Sequence, residues 1–309
     1  MIREPLLVLA GPTASGKSAI ALEVAERMGA SILSADSQQV YAGFAVGTAQ
    51  PTAAERARAP HHLVGHVRPE EDYHVARFVA EAEAVLAAEG AAGRPVIVCG
   101  GTGLFIKHLL EGIFEGAPRD AAIRARLEEE LARDGLDALR ERLRAVDPTR
   151  DAQINANDAM RVVRALEVFE STGVAMSEHL RREAAARRPR RAAFVVLDRD
   201  RGELDARIDA RVGKQVEAGW LEEARVLLAL GLPRSTRSFK ALGYREMFRV
   251  LDGELTMEEA RAETTRLVRA YSRRQRTWFR AVRGARWIMA RGEDLPVDEV
   301  EAALREAAQ

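Results

Sequence analysis

The N-terminal segment carries the pattern that most constrains the fold of this chain. An apolar run over Leu6–Ala10 ends at Gly11, four residues follow, and a Gly-Lys-Ser triplet stands at positions 16–18. This spacing matches the phosphate-binding loop G-x-x-x-x-G-K-[ST]. Apolar residues then recur every four positions over residues 20–28, which predicts a helix. The sequence therefore predicts a phosphate-binding loop between a buried strand and the start of a helix.

This loop is expected to bind a polyphosphate. Free backbone N–H groups and the helix dipole favour an anion at a helix N-terminus. Lys17 is expected to add a positive charge to the terminal phosphoryl oxygens, and the Ser18 hydroxyl is expected to ligate Mg²⁺. The predicted polyphosphate-binding residues are Gly11, Pro12, Thr13, Ala14, Ser15, Gly16, Lys17 and Ser18. The motif alone does not identify which polyphosphate is bound.

Composition limits the classes of protein to which the chain can belong. Its 309 residues are 47% hydrophobic and 30% charged, which is typical of a globular protein. No apolar run approaches the ~20 residues needed to cross a bilayer, so we expect no membrane segment. The single cysteine, Cys99, excludes an internal disulfide and fits a reducing cytoplasm. Because Cys99 lies in an apolar run, we expect a buried structural thiol.

Strand and helix patterns alternate along the first part of the chain. Strands are predicted at residues 31–36, 61–64 and 95–99, and one helical face is predicted over 75–86. Residues 37–60 are expected to be irregular because glycine and proline interrupt them. This alternation predicts an α/β fold, a phosphate-loop core in which helices flank a parallel sheet. Ligands of such sheets bind beyond the carboxyl ends of the strands.

The middle of the chain has a different character. From residue 119 to 189 only helical patterns are found, whereas strand character returns at 192–197 and 287–289. We therefore predict an α/β core formed by residues 1–118 and 190–309, with an all-helical insertion domain at 119–189. The arginine-rich run within 181–191 is expected to be a solvated linker between the two.

Two predicted strands end in residues that could carry chemistry. Asp36 follows the second strand, where it could hold Mg²⁺ through water, act as a general base, or simply cap its loop. Thr102 lies in a glycine-rich turn after the strand at 95–99, and that turn could bring a hydroxyl to a ligand or be only a tight connection. The same strand lacks the terminal Asp of an ATPase, which disfavours ATP hydrolysis.

Residues 261–286 form an arginine-rich stretch. It contains nine arginines and a single acid, Glu263, with Tyr271, Trp278 and Phe279 interleaved. Basic side chains with aromatic rings between them are typical of RNA binding. The alternative interpretation is a solvated helix face.

Together these motifs resemble the bacterial tRNA dimethylallyltransferases. The stretches that carry the resemblance are residues 11–18, 36–41, 47–49, 61–63, 100–104, 161–168, 243–244, 273–275 and 277–279. They cover nearly the whole chain in order. The chain departs from the family at Ala42 and Gln50, where a basic residue is common, and at Gly65, where Asp is common.

The resemblance implies that a dimethylallyl group passes from its diphosphate to N6 of adenine 37, next to the anticodon of tRNA. The phosphate loop would then hold the diphosphate leaving group rather than ATP, with Mg²⁺ as the cofactor. The implied catalytic residues are Lys17, which neutralises charge, Asp36, which takes a proton from the amine, and Thr102, which assists departure of the bridging oxygen. The arginines that match the family's diphosphate contacts are Arg207 and Arg211, and the sequence does not decide which of them reaches the ligand.

The resemblance also implies the partners and their contacts. Dimethylallyl diphosphate and the tRNA anticodon stem-loop would be bound by a cytoplasmic monomer that has no membrane contact. The reacting adenine would leave its stack to enter the core. The implied tRNA-binding residues are Asp36, Ser37, Gln38, Gln39, Thr102, Arg124, Met160, Arg161, Val162, Val163, Arg164, Lys240, Gly243, Tyr244, Arg245, Arg273 and Arg274.

Two other function classes stay open on the sequence. One is a small-molecule enzyme, either a nucleoside or sugar kinase or an isopentenyltransferase that uses free AMP. The helical insertion and the arginine-rich stretch speak against it, because a small acceptor needs neither. The other is a non-catalytic RNA-binding protein, which the intact Lys17, Ser18, Asp36 and Thr102 disfavour.

Overall fold

The computed structural model describes residues 5–113, 120–186 and 190–306. The chain divides into two compact units. The first, called the core unit below, comprises Met1–Glu111 and Arg190–Gln309. The second, called the helical unit, comprises Gly112–Pro189.

A six-stranded parallel sheet forms the centre of the core unit. The strands lie in the order β3-β2-β4-β1-β5-β6, and every neighbouring pair is parallel. Their bounds are β1 Leu6–Ala10, β2 Ser31–Ser34, β3 His61–His62, β4 Val96–Gly100, β5 Ala192–Asp198 and β6 Arg286–Met289. The predicted fold class, a parallel sheet with helices on both faces and a helical insertion, is confirmed.

The described helices divide between the two units. In the core unit they are α1 Lys17–Met28, α2 Ala53–Arg58, α3 Val75–Ala91, α4 Gly103–Glu111, α9 Arg201–Glu217, α10 Trp220–Leu228, α11 Tyr244–Leu251, α12 Met257–Arg280 and α13 Val297–Glu306, with a 3₁₀ turn at Ser238–Lys240. In the helical unit they are α5 Ala121–Val146, α6 Pro148–Gln153, α7 Ala159–Thr172 and α8 Met176–Ala186. Among the described helices, none is long and apolar enough to cross a membrane.

The register of the sheet brings three loops to one edge. Ala10 at the end of β1 lies opposite Gly100 of β4 on one side and Val196 of β5 on the other. Beyond this edge, the N–H of Thr102 donates to the carbonyl of Ala35 at 3.1 Å, so the loops after β2 and β4 touch directly. The carboxyl ends of β1, β2 and β4 therefore open onto one region, as the chain pattern predicted.

Both faces of the sheet are covered by apolar side chains. Along β1, Val8 packs into one layer, whereas Leu7 and Leu9 pack into the other. A parallel strand buried on both faces explains why its sequence is a continuous apolar run. Cys99 lies in the second layer, where burial raises the pKa of its thiol to about 11. The expected inert thiol fits this environment.

Two local expectations were wrong. The segment 37–60, expected to be irregular, contains α2, whose start is fixed by a capping box of Thr52 and Glu55. The arginine-rich run was expected to be a linker from residue 181, but α8 continues to Ala186. Arg181 pairs there with Glu178 in the turn before it. Residues 187–189 lie outside the described parts of the chain.

Arg276 of the arginine-rich stretch has a structural role. Its Nε donates to Oδ2 of Asp198 at 2.9 Å, and its terminal nitrogen lies 2.8 Å from the same oxygen. Asp198, at the end of β5, is only 2% exposed. The pair therefore ties α12 to the sheet, and Arg276 is not available for a phosphate of RNA.

We expect Arg276→Met to lower the free energy of unfolding by roughly 1–3 kcal/mol, because a buried carboxylate loses its charged partner. Arg280→Met is the matched control, since Arg280 is exposed on the same helix. Urea denaturation of both variants measures the difference. Equal stability of the two variants would contradict the role given to the Arg276–Asp198 pair.

Candidate active site

The phosphate loop runs from the end of β1 to the start of α1. Gly16, the last residue before α1, has a φ of +99°. This left-handed conformation is open to glycine and strained for other residues. Arg199, directly after β5, is fully buried and donates from Nε to the carbonyl of Ser15 at 2.8 Å. It also donates to the carbonyl of Gly292 at 2.7 Å, so the loop is held from beneath by a buried cation.

Lys17 and Arg211 place two cations beside this loop. The Lys17 ammonium donates to the carbonyl of Pro12 at 3.3 Å. Burial lowers the pKa of Lys17 below its ordinary value, and the nearby Arg211 lowers it further, while Asp36 opposes the shift. Burial also lowers the pKa of Arg211. Two crowded cations that have lost solvent are the electrostatic signature of a site that receives an anion.

The two arginines of α9 have different positions. Arg207 donates from Nε to the carbonyl of Ala14 at 3.1 Å and so braces the phosphate loop. Arg211 reaches the carbonyl of Thr48 at 3.4 Å and lines the cavity that also contains Lys17 and Asp36.

Asp36 uses one carboxylate oxygen to shape its loop. Oδ1 accepts from the N–H of Gln38 at 2.9 Å and from that of Gln39 at 3.3 Å. This is the loop cap that the sequence left open as an alternative. Within the described residues, no recorded hydrogen bond goes to Oδ2. The cap therefore leaves the second oxygen of Asp36 for other chemistry.

Thr102 joins the loops that follow β2 and β4. Its hydroxyl oxygen accepts from the N–H of Ser37 at 3.1 Å. The side chain of Tyr271, on α12, lines both cavities beside these loops. Burial raises the pKa of Tyr271 to about 12, and the negative charge of Asp36 acts in the same direction.

Two cavities meet at these residues. The first, called the loop cavity, has a volume of about 430 Å³ and includes Lys17 and Ser18 in its wall. The second, called the outer cavity, has a volume of about 310 Å³ and includes Lys240 and Arg274. The residues common to both walls are Thr13, Asp36, Arg211 and Tyr271. A larger groove of about 510 Å³ between α9 and α12 contains none of the phosphate-loop residues.

The core-unit residues predicted to contact tRNA separate into two groups. Those that line the outer cavity or stand exposed are Ser37, Gln38, Lys240, Arg245, Arg273 and Arg274. Tyr244 is different, because it is 0% exposed and donates its hydroxyl to Glu223 at 2.6 Å. Gly243 is also buried, beneath the ring of Trp220. We therefore correct the expectation for Gly243 and Tyr244, which pack the interior and present no side chain to RNA.

Gln39 is also occupied within the protein. Its amide nitrogen donates to the carbonyls of Thr48 at 3.2 Å and Ala49 at 2.9 Å. Its amide oxygen accepts from the hydroxyl of Ser34 at 3.1 Å. In this structure Gln39 thus holds together the loop that lines the loop cavity.

In the helical unit, two of the predicted tRNA contacts lie in the interior. Val162 and Val163 of α7 are 0% and 2% exposed and pack with the leucines of α5. Their expected side-chain contact with tRNA is corrected to a packing role. Helical periodicity explains the error, because a run of five consecutive residues on α7 must include buried positions.

The remaining predicted contacts of the helical unit reach its surface. Met160 is 73% exposed, and the exposed Arg161 pairs with Asp158 at 2.9 Å.

Arg124 and Arg164 lie 3.8 Å and 3.1 Å from the buried carboxylate of Glu167. Those two arginines therefore neutralise an internal acid.

The aromatic residues of α12 do not form an exposed stacking surface, contrary to expectation. Phe279 is fully buried, and the ring of Trp278 packs edge-on against it at 5.2 Å. Tyr271 faces the cavities rather than solvent, although the guanidinium of Arg274 lies 5.8 Å from its ring. The arginine-rich stretch thus has charged outer positions and an apolar inner face.

Two of the departures from the family lie against each other. The amide nitrogen of Gln50 donates to the carbonyls of Gln39 at 2.9 Å and Tyr41 at 2.8 Å. A Cβ at Gly65 would lie 3.0 Å from the amide oxygen of Gln50. Gln50 is neutral where a basic residue is common in the family, and Gly65 has no side chain where Asp is common. The absence of the basic residue at one position is therefore matched by the absence of the acidic residue at the other.

Sequence reasoning missed the site roles of Arg199 and Gln275, and it gave Tyr271 a different role, as a stacking ring for RNA. Arg199 holds the phosphate loop, Tyr271 lines both cavities, and Gln275 hydrogen-bonds to Thr13 and Gly101. Gln275 belongs to a stretch that carries the resemblance, so a signal for it was present. The site roles of Arg199 and Tyr271 follow only from the folded structure, in which β5 and α12 lie beside the phosphate loop.

Comparisons with known proteins agree with this arrangement. The model of the IPP transferase family matches residues 39–282, and that of isopentenyl transferase matches residues 5–60. The chain is similar to tRNA dimethylallyltransferases from Anaeromyxobacter sp. (49% identical, covering 97% of this chain and 96% of the relative) and Symbiobacterium thermophilum (42%, covering 98% and 95%).

Solved structures extend the similarity to three dimensions. The full-length tRNA isopentenylpyrophosphate transferase of Bacillus halodurans is 34% identical with a TM-score of 0.73, over 99% of this chain and 98% of that one. A eukaryotic dimethylallyltransferase acting on tRNA is 25% identical with a TM-score of 0.79, over 90% of this chain and 70% of that one. On these grounds the chain belongs to the IPP transferase family and is a prenyl-transferring enzyme that modifies tRNA.

Proposed function

We propose that this enzyme binds the diphosphate of dimethylallyl diphosphate on its phosphate loop and alkylates N6 of adenine 37 beside the tRNA anticodon. The observation that carries the proposal is the meeting of the two cavities at Asp36 and Arg211. One cavity has the phosphate loop in its wall and the other opens among exposed cations. A donor and an acceptor that enter from separate cavities could react at their junction.

The donor site follows from the charges around the loop cavity. Backbone N–H groups at the start of α1, Lys17 and Arg211 would hold the diphosphate. Arg207 would act indirectly, because it binds the carbonyl of Ala14. As the allylic C–O bond breaks, negative charge grows on the bridging oxygen, and these cations stabilise that charge more in the transition state than in the bound substrate. The Thr102 hydroxyl would donate a hydrogen bond to the bridging oxygen.

The oxygen donors of the loop cavity fit Mg²⁺. Among the described residues there is no group of three or more acidic, histidine or cysteine side chains that could hold a metal. Mg²⁺ needs no such group, because it keeps several waters and takes phosphate oxygens and one or two protein ligands. The hydroxyl of Ser18, in the wall of the loop cavity, would hold the ion directly. When bound, the ion would neutralise charge on the diphosphate.

The acceptor is a weak nucleophile that benefits from a base. The lone pair of the exocyclic amine of adenine is delocalised into the ring, so attack is easier if a proton leaves at the same time. Oδ2 of Asp36 would accept that proton while Oδ1 keeps the loop in place. A C–O bond breaks, an N–C bond forms, and diphosphate departs. The flipped adenine would occupy the outer cavity.

Exposed cations around the outer cavity would hold the anticodon stem-loop. In the core unit, Lys240 and Arg274 line the outer cavity, and Arg245 and Arg273 are exposed on α11 and α12. The helical unit, taken by itself, offers the exposed Met160 and Arg161 as contacts for tRNA. Both cavities are formed by the core unit of one chain. This supports a monomer that acts in the cytoplasm, where its tRNA substrate is found.

Lys17→Ala should lower kcat/KM for transfer by at least about 100-fold, because a charge contact in the transition state is lost. In the parent enzyme, diphosphate should inhibit competitively against the allylic donor, and ATP should not be consumed. Lys214→Ala is the matched control, since Lys214 is exposed on α9. The assay incubates labelled dimethylallyl diphosphate with tRNA or with AMP. Label in AMP but not tRNA, or ATP turnover stimulated by substrate, would refute the proposal.

Asp36→Asn should lower kcat by roughly 10²–10⁴, the usual range for loss of a general base. Binding of both substrates should change little, because the amide oxygen can still accept from the N–H of Gln38. Single-turnover kinetics with saturating donor measures the chemical step. If chemistry is retained while Mg²⁺-dependent donor affinity falls, Asp36 serves the metal and not the proton transfer.

Arg273→Gln and Arg274→Gln should each weaken tRNA binding at low salt. Each should flatten the slope of log affinity against log salt by about 0.7–0.9. The reason is that binding with one phosphate contact fewer releases fewer counterions from the RNA. Arg305→Gln, an exposed arginine on α13, is the control and should leave the slope unchanged. If both test variants have the slope of the parent, the exposed face of α12 does not contact the RNA.

A further inference from the structure

Gln275 of α12 connects two of the loops at the site. Its amide oxygen accepts from the N–H of Thr13 in the phosphate loop at 2.8 Å. Its amide nitrogen donates to the carbonyl of Gly101, in the loop after β4, at 2.9 Å. The side chain is buried, with 6% exposure. A single amide thus closes the gap between two backbone segments.

The orientation of this amide is fixed by its partners. A reversed amide would point its N–H₂ at the N–H of Thr13 and its oxygen at the carbonyl of Gly101, leaving four groups unpaired. The Gly101 backbone is also fitted closely around it. A Cβ at Gly101 would lie 2.2 Å from the amide nitrogen, so this approach requires glycine.

The two bridged segments carry the groups that act on the donor. Thr13 borders both cavities, together with Asp36. Gly101 precedes Thr102, whose hydroxyl oxygen accepts from the N–H of Ser37. The amide of Gln275 therefore links the phosphate loop directly to the backbone that carries Thr102.

We propose that Gln275 is a positioning residue, which holds Thr102 at the right distance from the phosphate loop for the departure of diphosphate. Gln275 lines the loop cavity, but its amide oxygen and nitrogen are bonded to the two loops, so its proposed role is to hold them rather than to act on the substrate. The N–H of Thr13 and the carbonyl of Gly101 would each stay buried and unpaired without it, so the loops would relax. A misplacement of about 1 Å at a reacting group can cost about 100-fold in rate. This inference rests on the role proposed above for Thr102.

Gln275→Met tests the bridge, because methionine keeps the length of the side chain and removes both hydrogen bonds. We expect kcat to fall about 100-fold, with KM for dimethylallyl diphosphate and affinity for tRNA within about 3-fold of the parent. Ser272→Ala is the matched control, since Ser272 is also buried on α12 and is not part of the site. Ser272→Ala should keep the kcat of the parent. An unchanged kcat in Gln275→Met overturns the proposal.

Gln275→Glu provides a second variant that keeps the shape of the side chain. A protonated carboxyl can still donate to the carbonyl of Gly101 and accept from the N–H of Thr13, whereas the ionised form cannot donate. The ratio of its kcat to that of the parent should therefore rise as pH falls through the pKa of the introduced carboxyl group. A ratio that is flat with pH overturns the proposal.

A double-mutant cycle separates this inference from the role proposed for Thr102. If Gln275 acts through Thr102, the losses of kcat in Gln275→Met and Thr102→Val should be far from additive in the combined variant. Additive losses overturn the positioning role of Gln275 but not the role proposed for Thr102. A Thr102→Val variant with the kcat of the parent instead refutes the function proposed for Thr102, whatever Gln275→Met does.

Discussion

The gathering of cations around a partly buried anion site is the constraint on which much of the core unit depends. Lys17 and Arg211 both lose solvent at the loop cavity, and burial lowers the pKa of each. Two such cations repel each other, and the single carboxylate of Asp36 offsets only part of that repulsion. A bound diphosphate would restore the balance, so the free energy spent in gathering the cations during folding would be recovered when substrate binds and its charge grows.

Folding can gather these cations because the sheet is parallel. Each strand of a parallel sheet ends at the same edge, which brings the loops after β1, β2 and β4 together. Helices then brace the loops from outside. Arg207 of α9 binds the carbonyl of Ala14, and Gln275 of α12 binds the N–H of Thr13. The arginine-rich helix is therefore both a wall of the catalytic site and a charged surface.

What the sequence predicted well was local. The phosphate loop, the alternation of strands and helices, and the helical character of the described residues 120–186 each depend on residues close together in the chain. What it missed depends on contacts between distant segments. Tyr244 and Val162 were assigned to RNA because they lie in stretches that resemble the family, but a helix turns some residues of every such stretch inward. Arg276 was counted as a free cation, although its partner Asp198 lies on another element.

Asp36 shows why a structural role and a chemical role need not compete. The sequence left loop cap and general base as alternatives, as if one carboxylate could serve only one of them. Oδ1 accepts both N–H groups of the loop. A carboxylate held in this way has its plane fixed, and its other oxygen then points in a defined direction. The cap is thus what would aim the base, because an Asp36 free to rotate would spend less time aligned with the incoming amine.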